Sequence, residues 1–422
     1  MSDPVKDNPV LRRDINLVPV EGGDGSTMIV VRDPLELSDR GTVALRAETL
    51  KILAMLDGRH STEDVRMKLV EDSARAGMLT SIPLELVQSF VNQLDQVYLL
   101  DNERFRSARE KLVENFSVLK IRPAVLAGKS YPADKEAAGK FIDKILDTGK
   151  ESRNRFSELH NKEIAALISP HIELRAGSRG YASSYGTIAG RSYDRVVILG
   201  VGHSLERSVF SFTDKDFETP LGLVHTDKQA VAGLRKAAGS LAARDDFAHR
   251  SEHSIEFQVI FLQRALEGPF TIVPVLVGSL YELLILGEKK RPREIDGLEP
   301  ALDYLARLLS DPKERTLLVA GVDFSHVGLK FGDGLPASRI TGDSTAHDRA
   351  LLSALVQSDV EAFCAAGRLV RDRYHVCGFT ALSILLEILP EKVTGVELHH
   401  EVWQERETKS AVSFASAAFY IS

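Results

Sequence analysis

Four short apolar runs constrain the fold of this chain more than any other feature: IAALIS (164–169), RVVILGVG (195–202), TIVPVLVG (271–278) and TLLVAGV (316–322). Each is nearly continuous in aliphatic residues, which predicts strands buried on both faces rather than strands with one wet side. Amphipathic helical stretches separate them. Strands of this kind alternating with helices predict a sheet covered on both sides, an α/β architecture. In an open sheet of that type, ligands collect beyond the carboxyl ends of the strands, where loops converge and helix N-termini point N–H groups inward.

The residues just past each run are therefore the candidates for a site. IAALIS is followed by Pro170-His171, RVVILGVG by His203-Ser204, and TLLVAGV by Asp323-Phe324-Ser325-His326. Three of the four strands deliver imidazole or carboxylate to one edge. A further segment, Tyr374-His375-Val376-Cys377-Gly378, leads into the apolar stretch FTALSILLEIL and places a thiol at a helix start, where the dipole favours the thiolate. Ser251-Glu252-His253-Ser254-Ile255-Glu256 precedes a second apolar helix; His253 and Glu256 are three apart and share a face, so one can orient the other.

Neutral imidazole and thiolate are good ligands for iron, copper or zinc, and a His, His, Cys set leaves a position open for water or substrate. Asp323 and Glu256 are the carboxylates expected to fix histidine tautomers. Each feature also has a plainer reading. Asp323 and His326 fit a helix cap with its neighbour, Glu252 to Glu256 fit a solvated first turn, and Cys377, like Cys364, fits a small buried hydrophobe.

The chain has 422 residues, long enough for two domains. Residues 1 to about 27 are polar, end in Glu21-Gly22-Gly23-Asp24-Gly25-Ser26 and read as a flexible tail. From 28 to 108, a short strand MIVVRDP precedes three helical patterns, ALRAETLKILAMLDG, STEDVRMKLVED with Ser61 as N-cap, and PLELVQSFVNQLDQVYLL. In the last, Leu84, Val87, Phe90, Val91, Leu94, Val97 and Tyr98 line one helical face. Together they predict a small winged-helix-like domain. Residues 109–160 are charge-rich and read as a helical connector, leaving 161–422 for the α/β domain.

Composition excludes several classes. A net charge of −7 with interleaved signs offers no broad cationic surface, so nucleic acid is not an expected partner. The N-terminus lacks an apolar signal core, and no segment approaches the roughly 18 apolar residues of a membrane span. A cytoplasmic, membrane-independent protein is expected. Two cysteines make no disulfide framework.

Six ordered pieces of the C-terminal region resemble the Memo family, also called protein B of the AmmeMemoRadiSam system. They are Ser169-Pro170-His171, Leu199-Gly200-Val201-Gly202-His203, Glu252-His253-Ser254-Ile255-Glu256, Pro274-Val275-Leu276-Val277-Gly278, Asp323-Phe324-Ser325-His326 and Cys377-Gly378. The likeness runs from about 164 to 420 and implies a fold similar to the class III extradiol dioxygenases. The family's ligand positions carry over to His171, His203 and Cys377, with Asp323 and His326 beside them. The resemblance implies a bound metal, iron first with copper or zinc as alternatives, and dioxygenase-like redox chemistry with His253 or His326 as acid or base. It also implies a radical-SAM protein and a small companion protein as partners. One departure is that His171 is followed by Ile172-Glu173-Leu174-Arg175-Ala176-Gly177 in place of the usual Ala-Gly-aromatic, which brings Glu173 or Arg175 within reach of the site. The order of elements at 28–108 resembles the PqqD-like peptide-recognition domain, implying a peptide ligand there. Two other readings stay open: a non-catalytic metal- or peptide-binding scaffold, and a zinc hydrolase, the latter without an HExxH string to support it.

Overall fold

The computed structural model describes residues 8–21, 26–38, 41, 43–78, 81–149, 161–205 and 208–421. The chain divides into two compact units, Met1–Phe116 and Ser117–Ser422.

The first unit holds an antiparallel sheet of β1 (Asn16–Glu21), β2 (Thr27–Arg32) and β3 (Val43–Arg46), in the order β1-β2-β3. The strand expected at MIVVRDP is β2, but it does not stand alone. Residues 16–21, expected within a flexible tail, form β1, paired from Asn16↔Arg32 to Glu21↔Thr27. Residues 22–25 of the glycine-rich stretch lie outside the described residues. Ahead of β1, Arg12 is buried, bonds both Asp14 oxygens and Asp33, and donates to the Tyr98 carbonyl. These contacts anchor a segment whose polarity alone predicts disorder.

The first helical pattern is also shorter than expected. Its leading residues, Ala44–Arg46, pair with β2, and the α-helix spans only Leu50–Met55. Cross-strand pairing has overridden the helix preference of Ala-Leu-Arg. The next helix, Thr62–Arg75, begins as expected at Ser61, in a capping box with Asp64. The third, Leu84–Gln96, buries Val87, Val91 and Leu94 on the expected face. These pack with Leu53, Leu56, Val65 and Val31 into one core.

The second unit is built on a large mixed sheet. At its centre β5 (Ile164–Ser169), β11 (Thr316–Gly321), β6 (Arg195–Val201) and β10 (Thr271–Val277) lie side by side and parallel. These are the four apolar runs, and every residue in them but Ala165 and Thr271 is buried. Further strands extend both sides, antiparallel on the first and mixed on the second. On one, β14 (Ser410–Ile421) joins β5 and carries β12 (His326–Gly328) and β13 (Val393–Glu405). On the other, β9 (Gly222–Thr226), β8 (Asp216–Thr219) and the short β4 (Ile121–Arg122) follow β10, which also pairs β7 (Phe210–Phe212). Apolar clusters fill both faces of the sheet.

Of the segment expected to be a helical connector, 109–160, residues from 117 onward belong to this unit and pack into it. Helix Lys135–Asp147 buries Ile142, Ile145 and Leu146 in the same cluster as Tyr181, Phe261 and Val196. Residues 150–160 lie outside the described residues. Among the described residues no helix is long and apolar enough to cross a membrane.

Candidate metal centre

Because β5, β6 and β11 are adjacent and parallel, the residues after them emerge at one edge of the sheet. His171 leaves β5, His203 follows β6, and Asp323 follows β11. The fourth contributor is helix His253–Ala265, which starts directly on the strand ends. It gets that close because two sheet positions lack a side chain. A Cβ on Gly200 would sit 2.5 Å from Ser254 Oγ, and one on Gly321 would sit 2.5 Å from the Ser254 carbonyl oxygen.

His171, His203 and His253 consequently meet, each offering a nitrogen within 4.8 Å of the others. Their ring centroids are 4.9, 5.0 and 5.1 Å apart, a nearly equilateral triangle. In all three rings Nδ1 is occupied. His171 Nδ1–H donates to the Gly321 carbonyl at 2.9 Å. His203 and His253 both place Nδ1 against the Glu252 carboxylate, at 3.0 and 3.2 Å. With Nδ1 held by these acceptors, each ring keeps its Nε2 for the cluster, the nitrogen a metal requires. Cys377 Sγ stands 3.4 Å from His171 Nε2, and Asp323 Oδ2 stands 3.7 Å from the same atom.

A family model described as "Memo-like protein" matches residues 122–418. The chain belongs to the Memo family. A MEMO1 family protein of Aquifex aeolicus is 32% identical over 395 residues, 93% of this chain and 96% of the relative. Another, of Nitrosopumilus maritimus, is 27% identical over 63% of this chain and 86% of its own length. One of Thermus thermophilus is 25% identical over 85% of this chain and 98% of its own.

Within this Memo domain, the residues singled out by sequence fall into three groups. His171, His203 and Cys377 converge as expected, and His253, expected as an acid or base, joins them as a third imidazole; Asp323 lies beside His171 but accepts its main-chain N–H at 3.0 Å and holds no ring in its tautomer. His326 lies in β12 with Nδ1 donating to the Phe324 carbonyl at 2.9 Å, and burial pushes its pKa down to about 4. Glu256 is the correction. It is fully buried but orients no histidine; it pairs with Arg122 and accepts from Tyr131 OH and the Leu126 N–H. The carboxylate that orients the imidazoles is Glu252, which is buried, not solvated. It caps the helix by accepting from the Ser254 N–H at 3.0 Å and also accepts the His203 N–H at 3.2 Å. Nor do Glu173 and Arg175 enter the site. Both are exposed; Glu173 accepts the Arg175 and Ala176 N–H groups of its own turn, and Arg175 lies over the Phe141 ring.

The electrostatics reflect this arrangement. Burial depresses His171, and the neighbouring His253 and His203 add to it. For His203 burial is outweighed by the Glu252 carboxylate and the Cys377 thiol, which raise its pKa well above the ordinary value. Burial would raise Glu252, yet the two imidazoles hold it well below the usual carboxylate range. Burial lifts Asp323 to about 7 against the His171 and Ile172 N–H groups that favour its charge. Cys377 was expected to be a thiolate at a helix start. Burial instead raises it, only partly offset by His203, so a metal binding here displaces the thiol proton. Cys364 has the fate expected of it: it is buried, and burial pushes its thiol up to about 12.

A neighbouring histidine gives the domain a pH limit. His249 is buried, its Nε2–H donates to the Ser211 carbonyl at 3.0 Å, and burial holds its pKa at about 4 against a model-peptide value of 6.5. An unfolded chain protonates this ring below about pH 6.5, whereas the folded one does not until about pH 4. Stability present above pH 6.5 is therefore lost as pH falls through that window, by about 3 kcal/mol from this group. Urea unfolding of wild type and His249→Gln at pH 7.5 and 4.5 checks it: the variant is expected to lose less on acidification.

Proposed function

We propose that this Memo domain is a metal-dependent oxidoreductase related in fold and chemistry to the class III extradiol dioxygenases, with iron as its metal and copper or zinc as alternatives. The observation that carries the reading is that three imidazoles, each tethered through Nδ1, present Nε2 to one point beside a thiol. That donor set suits iron, copper or zinc and is unlike the all-oxygen cages of magnesium or calcium. When bound, the metal would supply Lewis acidity and redox capacity, with dioxygen as the oxidant whose atoms enter the product. The chain's own residues do the rest. Glu252 and the Gly321 carbonyl hold the rings in register, Asp323 sits beside His171, and His326, neutral at pH 7, offers Nε2 to take up a proton from substrate.

Anaerobic purification followed by metal analysis tests the first half of this reading, with one metal per chain expected. Oxygen consumption by the iron-loaded protein over a panel of catechols, against His203→Ala, tests the second. Metal binding without any oxygen uptake above the variant would favour a non-catalytic metal-binding role instead.

The first unit suits a recognition role of the PqqD-like kind, in the manner of winged-helix modules. Among the described residues β3 pairs only with β2, which leaves a strand edge for main-chain pairing with a peptide. The partners proposed for the whole chain are a radical-SAM protein, a small companion protein and a peptide held by this unit. Copurification of a defined peptide, lost on deleting residues 1–116, would support this; none retained by the full chain would count against it.

A further inference from the structure

We propose that Arg122 is a positioning residue for the metal centre: it fixes the backbone that carries Glu252 and thereby the placement of His203 and His253. The inference rests on the proposed metal site but adds a residue from the segment read as connector.

Arg122 belongs to the two-residue strand β4 and is fully buried. Its guanidinium reaches four acceptors, three of them more than a hundred residues away along the chain. Nε donates to the His249 carbonyl at 2.9 Å, and Nη2 to the Glu252 carbonyl at 2.8 Å. Nη1 donates to the Pro123 carbonyl at 3.0 Å and to the Glu256 carboxylate. Glu252 is the N-cap of helix His253–Ala265, and Glu256 lies in its first turn. One planar cation thus holds the loop before the helix, the cap residue and the first turn together. That defines where the helix begins and how it is rotated about its axis.

Those two quantities matter because of what the same residues carry. Glu252 presents its side chain to His203 Nδ1 and His253 Nδ1, while its main chain is held by Arg122. His253 is the next residue. A shift of the cap changes the separation of two ligands directly and moves a third group, Glu252, that orients both. No lysine can replace this contact set, since a single ammonium cannot place donors in the fork that spans three carbonyls and a carboxylate. The effect of Arg122 on the imidazoles is exerted through Glu252.

The test uses the full chain with two replacements. Arg122→Lys keeps the charge facing Glu256; the double variant Arg122→Met with Glu256→Gln removes both charges and leaves no buried ion unpaired. Each is titrated metal-free with cobalt(II), following absorption, and is compared with wild type by hydrogen exchange. We expect cobalt affinity to fall about 10- to 100-fold with an altered ligand-field spectrum, the range seen when groups behind metal ligands are lost. Exchange over 200–205 and 247–256 is expected to rise at least about tenfold, with β5, β10 and β11 unchanged, because local opening follows the contacts that hold a segment. Unchanged exchange in 247–256 in both variants overturns the inference. So does a rise spread evenly through the sheet, which would make Arg122 a general stability residue. If wild type takes up no cobalt, the metal reading fails, and the exchange measurement alone still decides whether Arg122 positions the Glu252 segment.

Discussion

Replacing Glu252 with alanine is expected to lower metal affinity by about two orders of magnitude, the upper end of the effect of losing a group behind metal ligands. One carboxylate serves four donors: Nδ1–H of His203, Nδ1–H of His253, and the main-chain N–H groups of His203 and Ser254. Without it neither ring has a reason to carry its proton on Nδ1, and each can rotate or present the wrong nitrogen. Ligand basicity also falls, because the negative charge that raises His203 is gone. The cost to folding should be smaller. The His203 and His253 rings are each only partly covered, so water can replace their bonds, whereas the buried Ser254 N–H loses its cap. One buried donor left unsatisfied and one cap lost together come to roughly 2 kcal/mol. Glu252→Gln keeps one carbonyl acceptor and should lie between. Competition with a chromophoric chelator, beside urea denaturation of the metal-free proteins, reads the two quantities separately. A stability loss with unaltered affinity would show that Glu252 is a helix cap and nothing more.

Glu256→Ala should produce the larger effect on folding. The substitution leaves the fully buried Arg122 guanidinium without its counter-charge and strips an acceptor from Tyr131 OH and the Leu126 N–H. Removing one partner of a buried pair costs about 3–5 kcal/mol, because the remaining charge stays out of water. For a unit of this size that corresponds to a fall in Tm on the order of 10 °C. Glu256→Gln, which keeps both acceptor geometry and volume, should lose distinctly less. Scanning calorimetry of the metal-free proteins checks both; equal, small shifts for the two variants would mean that the pair is dispensable for stability.

The two glutamates illustrate what could be read from sequence. Glu252 and Glu256 are one turn apart around the same histidine, and their roles are the reverse of those that spacing suggests. Helical spacing places Glu256 on the face of His253, but a face can turn toward the site or toward the protein interior. The Arg122 partner that draws Glu256 inward lies 134 residues earlier, in a segment without a strong pattern. A signal for the close approach of His253 was present: Gly200 and Gly321 interrupt otherwise aliphatic strands at the height where the helix must pass. The first unit shows the converse. Residues 16–21 and 43–46 carry weak local signals, and pairing with β2 decides their structure.

By itself the amino-acid sequence determined that four buried strands would form a helix-covered sheet, and that His171, His203 and Asp323 would leave it at a common edge. Strand burial and the direction of parallel strands are local properties, written in continuous aliphatic runs and the residues just past them. Only the tertiary structure decided that His253 completes the cluster, that Glu252 rather than Glu256 holds the rings, and that burial keeps Cys377 protonated despite its helix. Those outcomes depend on which distant groups share a volume closed to water, where desolvation and a single buried charge outweigh helical spacing and the dipole.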